Sequence, residues 1–130
     1  MATQVIADMK ERGPIYHKSK EFALKTIELC RWLQEHGERI ISNQLFRAAT
    51  AVGANYREGL GAESTNDFIH KISVSVKETH EAQYWLELLI EGNYIDQKQY
   101  TSLYELSDEI IRMMTASILT LKGKQTASAT

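Results

Sequence analysis

At 130 residues, 43% of them hydrophobic and 25% charged, the chain is sized and composed for one globular domain. A formal net charge of −2 excludes a surface that is basic throughout, although a local basic patch stays open. The single cysteine, Cys30, excludes an intramolecular disulfide, and no stretch is apolar enough to span a membrane.

Residues 1–14 carry only scattered apolar positions and end in Gly13-Pro14, which reads as a flexible N-terminal arm with at most a short helical turn from Val5 to Lys10. The arm lacks the apolar core of a signal peptide, so a reducing, cytoplasmic location is expected. No proline follows Pro14, strand-forming runs are scarce, and Leu, Ala, Glu, Lys and Gln abound, which predicts an all-α fold.

A first helix is predicted over Ile15 to Glu35, with Phe22, Ala23, Ile27, Cys30 and Leu33 as its apolar stripe and Gly37 as the residue that stops it. Cys30 lies on that stripe without a histidine at a motif spacing, so it reads as a buried, inert thiol. A second helix is predicted to start at Ser42 as N-cap, with Ile41 and Phe46 as a hydrophobic staple. Its seam is Leu45, Ala48, Ala49, Val52 and Tyr56, with small neighbours Ala51, Gly53 and Ala54 that let a partner helix come close. Gly59 and Gly61 are expected to end it.

The third helix opens at Ser64-Thr65-Asn66-Asp67, a capping box, and runs to Glu91. Phe68, Ile72, Ser75, Thr79, Ala82, Leu86 and Leu89 repeat at spacings of four and three, the seam of a bundle helix. Its end is apolar nearly all round, so Tyr84, Trp85 and Leu88 are candidates for an oligomer interface. Gly92-Asn93 turns the chain. Asp96 with Gln99 caps a fourth helix that Gly123 is expected to end, leaving 123–130 as a disordered tail. Four helices over 15–122 joined by short loops predict an antiparallel, up-down-up-down four-helix bundle.

The chemistry such a bundle could hold is constrained by spacing. A di-iron centre needs Glu-x-x-His on two helices, and none occurs; His80 stands two residues after Glu78 and next to Glu81. There is no His-Glu-x-x-His, no paired cysteine, no phosphate-binding glycine loop and no nucleophile elbow. No catalytic residue, metal site or cofactor is predicted, and the expectation is a protein that is not an enzyme. Arg47, Asn55, Glu78 and Glu81 form a candidate polar network between the second and third helices; Glu78 and Glu81 share a face, and an arginine fork suits two carboxylates. Candidate nucleic-acid contacts are Lys18, Lys20, Lys25, Arg57, Lys122 and Lys124, individually compatible with solvated faces or helix-end placement.

The run Gln44-Leu45-Phe46-Arg47-Ala48-Ala49, then Val52-Gly53-Ala54-Asn55-Tyr56-Arg57-Glu58-Gly59, then Glu63-Ser64 and Asp67-Phe68, resembles the signature of the bacterial four-helix bundle proteins encoded in 23S ribosomal RNA intervening sequences. Lys77-Glu78-Thr79-His80-Glu81, Tyr84-Trp85-Leu86 and Asn93-Tyr94-Ile95 continue the likeness, which covers Tyr16 to Lys122. The resemblance implies a bundle that assembles into a ring-like homo-oligomer, a pentamer. It also implies kinship in fold with the accessory (Avd-like) proteins of diversity-generating retroelements, which bind nucleic acid and a reverse transcriptase through a basic barrel. The chain departs from the common pattern at Gly53, where many members carry Pro, and at Arg57, where many carry Ala. The leading expectation is therefore a non-enzymatic oligomeric interaction protein that contacts RNA or DNA through basic residues of the assembled surface. One alternative is a small ligand-binding or enzymatic bundle using the Arg47, Asn55, Glu78 and Glu81 cluster. Another is a scaffold for a protein partner.

Overall fold

The computed structural model describes residues 2–10 and 12–129, and all five of its regular elements are helices. A short α1 (Ala2–Lys10) precedes four long helices, α2 (Pro14–Glu35), α3 (Ile40–Leu60), α4 (Thr65–Glu91) and α5 (Gln97–Ala129). Each long helix packs on the next, and α5 returns to α2, which closes a four-helix bundle. Of its four sides, α3–α4 is the most extensively packed and α2–α5 the least. The N-terminal segment expected to be an arm carries α1, whose Ile6 and Met9 rest on the core of the bundle.

The core is built from the predicted seams. Phe22, Leu33, Leu45, Val52, Tyr56, Phe68, Ile72, Leu86, Leu89, Ile110, Met114 and Leu121 are all buried. Each fully buried side chain of this size contributes about 1.5–3 kcal/mol before entropy is counted. Cys30 is buried, as its stripe position implied; burial, with Glu38 nearby, pushes its thiol up to about 12.

Several helix ends follow the expected chemistry. Gly37 takes φ +91°, and the Glu38 N–H returns to the Leu33 carbonyl at 2.9 Å, a left-handed C-terminal cap. The Ser64 hydroxyl accepts from the Asp67 N–H at 3.1 Å. Asp96 and Gln99 cap reciprocally: Asp96 Oδ1 accepts from the Gln99 N–H at 2.8 Å, and Gln99 Oε1 accepts from the Asp96 N–H at 2.9 Å.

Three boundaries differ from expectation, each for a physical reason. Ser42 does not cap α3. The helix starts at Ile40, and the buried Glu38 carboxylate accepts from the N–H groups of Ile41 at 2.8 Å and Ser42 at 2.7 Å. A carboxylate has two oxygens for two orphan donors and favours the positive end of the helix dipole, so it outcompetes one hydroxyl. Phe46, expected to staple that end, is 43% exposed. Gly59 does not break α3 but lies inside it; a Cβ there would stand 3.1 Å from Lys71 Cβ, so this glycine sets how closely α4 approaches. Finally, α5 continues through Gly123 to Ala129, since the missing side chain costs a helix only about 1 kcal/mol and no proline follows.

Candidate nucleic-acid interface

The predicted polar cluster resolves into an ion-pair bridge and a bystander. Arg47 on α3 donates to Glu78 at 3.4 Å and to Glu81, both on α4. The Trp85 indole N–H also donates to Glu81, at 3.4 Å. Asn55 does not join them: its side-chain amide donates to the Ala51 carbonyl of its own helix at 2.9 Å. The bridge spans the outer edge of the α3–α4 side, with Arg47 52% exposed.

The polar groups inside the bundle are others. Ser75 donates to the Val52 carbonyl at 2.8 Å, Thr79 to the Ser75 carbonyl at 2.8 Å, and Gln83 to Ser107 and Asp108 at 2.8 Å each. These hydrogen bonds run within and between helices, which favours one register of α3, α4 and α5 over its neighbours. Their small or amide side chains carry no signal in the sequence beyond a weak break in the apolar seam.

The predicted basic residues divide the same way. Lys18 pairs with Glu109 at 3.3 Å across the α2–α5 side, and Lys25 pairs with Glu21 at 3.4 Å on its own helix. Lys122 and Lys124 lie near the end of α5, which does not border the α2–α3 groove. Lys20 and Arg57 are brought together: both line that groove, a cleft of about 290 Å³ floored by Ser19, Ala23, Gly53 and Ala54. Gly53 keeps the floor open, with Ser19 Oγ 3.5 Å from where its Cβ would stand.

Next to Arg57 sits Tyr16. The Arg57 guanidinium carbon lies 4.1 Å from the centre of its ring, and that of Arg12 lies 5.6 Å from it. His17 meets the same ring edge-on at 5.4 Å. Among the described residues, neither Arg12 nor Arg57 nor Lys20 has a carboxylate within ion-pair distance. The corner therefore offers two arginines held over a ring face by cation–π contact, with Lys20 in the adjoining groove. Sequence reading missed Arg12 and Tyr16 because the cluster exists only once α2 and α3 pair. The signal that could have found it is the i, i+4 spacing of Arg12, Tyr16 and Lys20.

Tyr84 is 53% exposed, with its ring 5.1 Å from that of Trp85, while Trp85 and Leu88 are half-buried. Among the described residues no group of three or more His, Cys, Asp and Glu is placed to hold a metal ion, and no helix is long and apolar enough to cross a membrane.

Residues 11–116 match the family described as 23S rRNA-intervening sequence protein. The chain belongs to that family. A solved structure from Bacteroides thetaiotaomicron, described as a protein with unknown function from the S23 ribosomal protein family, is 41% identical. The match covers 80% of this chain and 97% of that one, with a TM-score of 0.78. No curated protein matches. Tyr16 and Arg57 both lie within the matched span.

Proposed function

We propose that this member of the 23S rRNA-intervening sequence protein family is a non-enzymatic, self-assembling interaction protein of the cytoplasm. Its working surface is the Arg12, Tyr16, Lys20 and Arg57 corner, and its ligand is a strand of RNA or DNA. The observation that carries the reading is the placement of two guanidinium groups over one tyrosine ring, with no carboxylate within ion-pair distance among the described residues. Phosphodiesters take unquenched arginine and lysine, and an unstacked base can share the aromatic face. The net charge of −2 does not oppose this, because association depends on the field at the corner rather than on the chain total.

Self-assembly draws its support from the exposed Tyr84 beside the half-buried Trp85 and from the ring that the resemblance implies. Repetition of the corner around an assembly would multiply weak contacts into useful affinity. The ligand-binding alternative at Arg47 has less behind it, because both carboxylates there are already engaged.

The test is fluorescence anisotropy of labelled single-stranded RNA, and of DNA of the same sequence, with the intact protein at several salt concentrations. Binding that weakens linearly in log–log with salt is expected, and Arg57→Ala should reduce the slope by about 0.7 for each phosphate it no longer neutralises. No binding of either strand by the intact protein at low ionic strength would sink the proposal. A preference between the two arms identifies the strand.

A further inference from the structure

Phe46 on α3 is 43% exposed and belongs to neither the core nor the Arg12–Tyr16–Arg57 corner. A single exposed ring is ordinary on a protein surface; its place on the helix is what gives it meaning. Phe46 and Arg57 are eleven residues apart, three helical turns to within about 20°, so both stand on one face of α3. Thr50 and Gly53 lie between them on that face, and both line the α2–α3 groove with Arg57. On α2 the matching row is Tyr16, Lys20, Ala23 and Ile27, at the same spacings of four, three and four.

The two rows run antiparallel and in register. Arg57 meets Tyr16 at one end, Ser19 lies against Gly53 in the middle, and the Gln34 amide donates to Asn43 beyond the other end. That register sets Ile27 of α2 level with Phe46. Tyr16 is one turn beyond Lys20, and Phe46 is one turn beyond Thr50, so a ring stands at each end of the groove that these residues line. The two ends are about 16 Å apart along the helix. Neither row contains an acid. Glu21 and Glu28 of α2 line the α2–α5 side, and Glu58 of α3 turns to Lys71 on α4 at 3.8 Å.

We infer that Phe46 is a second stacking platform for the nucleic-acid strand, which runs lengthwise along the α2–α3 groove from Tyr16 to Phe46. This inference rests on the reading that the corner binds a strand, and it adds the path the strand takes. The charge sits in the lower half, where Arg57 and Lys20 meet phosphates. The small floor of Ala23, Gly53 and Ala54 lets the strand lie close to both helices. The upper half is uncharged and offers the Phe46 ring beside Ile27, a surface for a base rather than for a phosphate. At about 3.4 Å per stacked nucleotide, the distance between the rings spans about five steps. A strand of eight nucleotides therefore reaches both rings, and a dinucleotide held at the cations reaches only Tyr16.

The test compares Phe46→Ala and Phe46→Trp with the wild-type protein, and circular dichroism melts matching wild type establish that both variants fold. Binding of a labelled single-stranded octanucleotide is read by anisotropy, and binding of a dinucleotide by NMR titration. Phe46→Ala is expected to weaken octanucleotide binding about fivefold or more, with the salt slope unchanged because no phosphate contact is removed. Phe46→Trp keeps a ring in place and should hold wild-type affinity or exceed it. Dinucleotide binding should be the same in all three proteins. An octanucleotide affinity that Phe46→Ala leaves intact, or that Phe46→Trp fails to preserve, overturns the path while the corner stands as the binding surface. Equal losses for the two lengths overturn it as well, and so does a sedimentation profile altered by Phe46→Ala, which would assign the ring to a contact between copies. A wild type that binds neither strand at low ionic strength overturns the reading of the corner, and the path with it.

Discussion

Arg47 and Arg57 lie about three turns apart on α3, and their surroundings give them different work. Arg47 faces α4 and is taken up by Glu78 and Glu81. Arg57 faces α2, where the residue across the groove is Tyr16, so its charge is oriented but not cancelled. A guanidinium over a ring keeps its outward N–H donors for another partner; one forked between carboxylates has spent them. The role of an arginine in this bundle is set by which neighbouring helix it meets, not by the helix that carries it.

The sharpest way to break that contrast is to reverse both charges in turn. Arg57→Glu is expected to weaken strand binding about tenfold or more at low salt and to leave the stability measured in urea within about 0.5 kcal/mol of wild type. Arg47→Glu is expected to do the opposite: near-normal affinity in the same anisotropy assay, and a lowered urea midpoint, because three carboxylates then share the edge of α3 and α4. Equal losses of binding from both substitutions would dissolve the distinction.

Arg47→Ala isolates the bridge. With Arg47 52% exposed and Glu81 38% exposed, solvent screens much of the attraction, so the expected cost is about 0.5–1 kcal/mol. A double-mutant cycle with Glu81→Gln should return a coupling energy of similar size. A cost above about 3 kcal/mol would mean that the bridge behaves as a buried pair.

The parts of this comparison that were legible in the sequence are the local ones. Reciprocal capping by Asp96 and Gln99, the Ser64–Asp67 cap and the left-handed Gly37 each need only residues within one or two turns, so pattern reading places them. The Arg47 bridge was also legible, because two glutamates three residues apart on one helix ask for a donor on the next. Arg57 was visible only as one basic residue among six. Its pairing with Tyr16 depends on the register of two helices joined through a loop, which no local pattern encodes. Glu38 was missed for another reason: cap signals favour short polar side chains next to the helix, whereas this carboxylate reaches in from two residues before its first turn. Gly59 shows the same ambiguity, since a glycine that ends a helix and one that admits a neighbour look alike until the neighbour is placed.

Tyr16→Leu tests the platform rather than the charge. Leucine keeps much of the apolar bulk beside the groove but removes the ring face. Arg57 is then deprived of a cation–π attraction worth about 0.5–1 kcal/mol, which should appear as a two- to fivefold loss of affinity with little change in the salt slope. A slope reduced as much as in Arg57→Ala would mean that the tyrosine acts through the charge count after all.

The smallest expected effect sets Arg57 against its buried neighbour. Tyr56 lies in the core with its hydroxyl 3.5 Å from the Met9 carbonyl, and burial pushes its phenol up to about 12. In the unfolded chain a tyrosine ionises near pH ~10. Between those values the unfolded state releases a proton that the folded state keeps, so stability is complete below pH ~10 and falls as pH climbs toward 12. At pH 10 the loss is only about 0.4 kcal/mol, and it steepens above that. Cys30, raised for the same reason, bends the curve in the same direction. Tyr56→Phe removes the phenol and should flatten this alkaline limb in urea titrations between about pH 9 and 11, whatever it costs at neutral pH. Arg57→Ala should leave the limb unchanged, because its guanidinium stays protonated throughout that range. If the two substitutions altered the limb alike, Tyr56 and Arg57 would belong to one coupled site, and the boundary between the core and the corner would have to move.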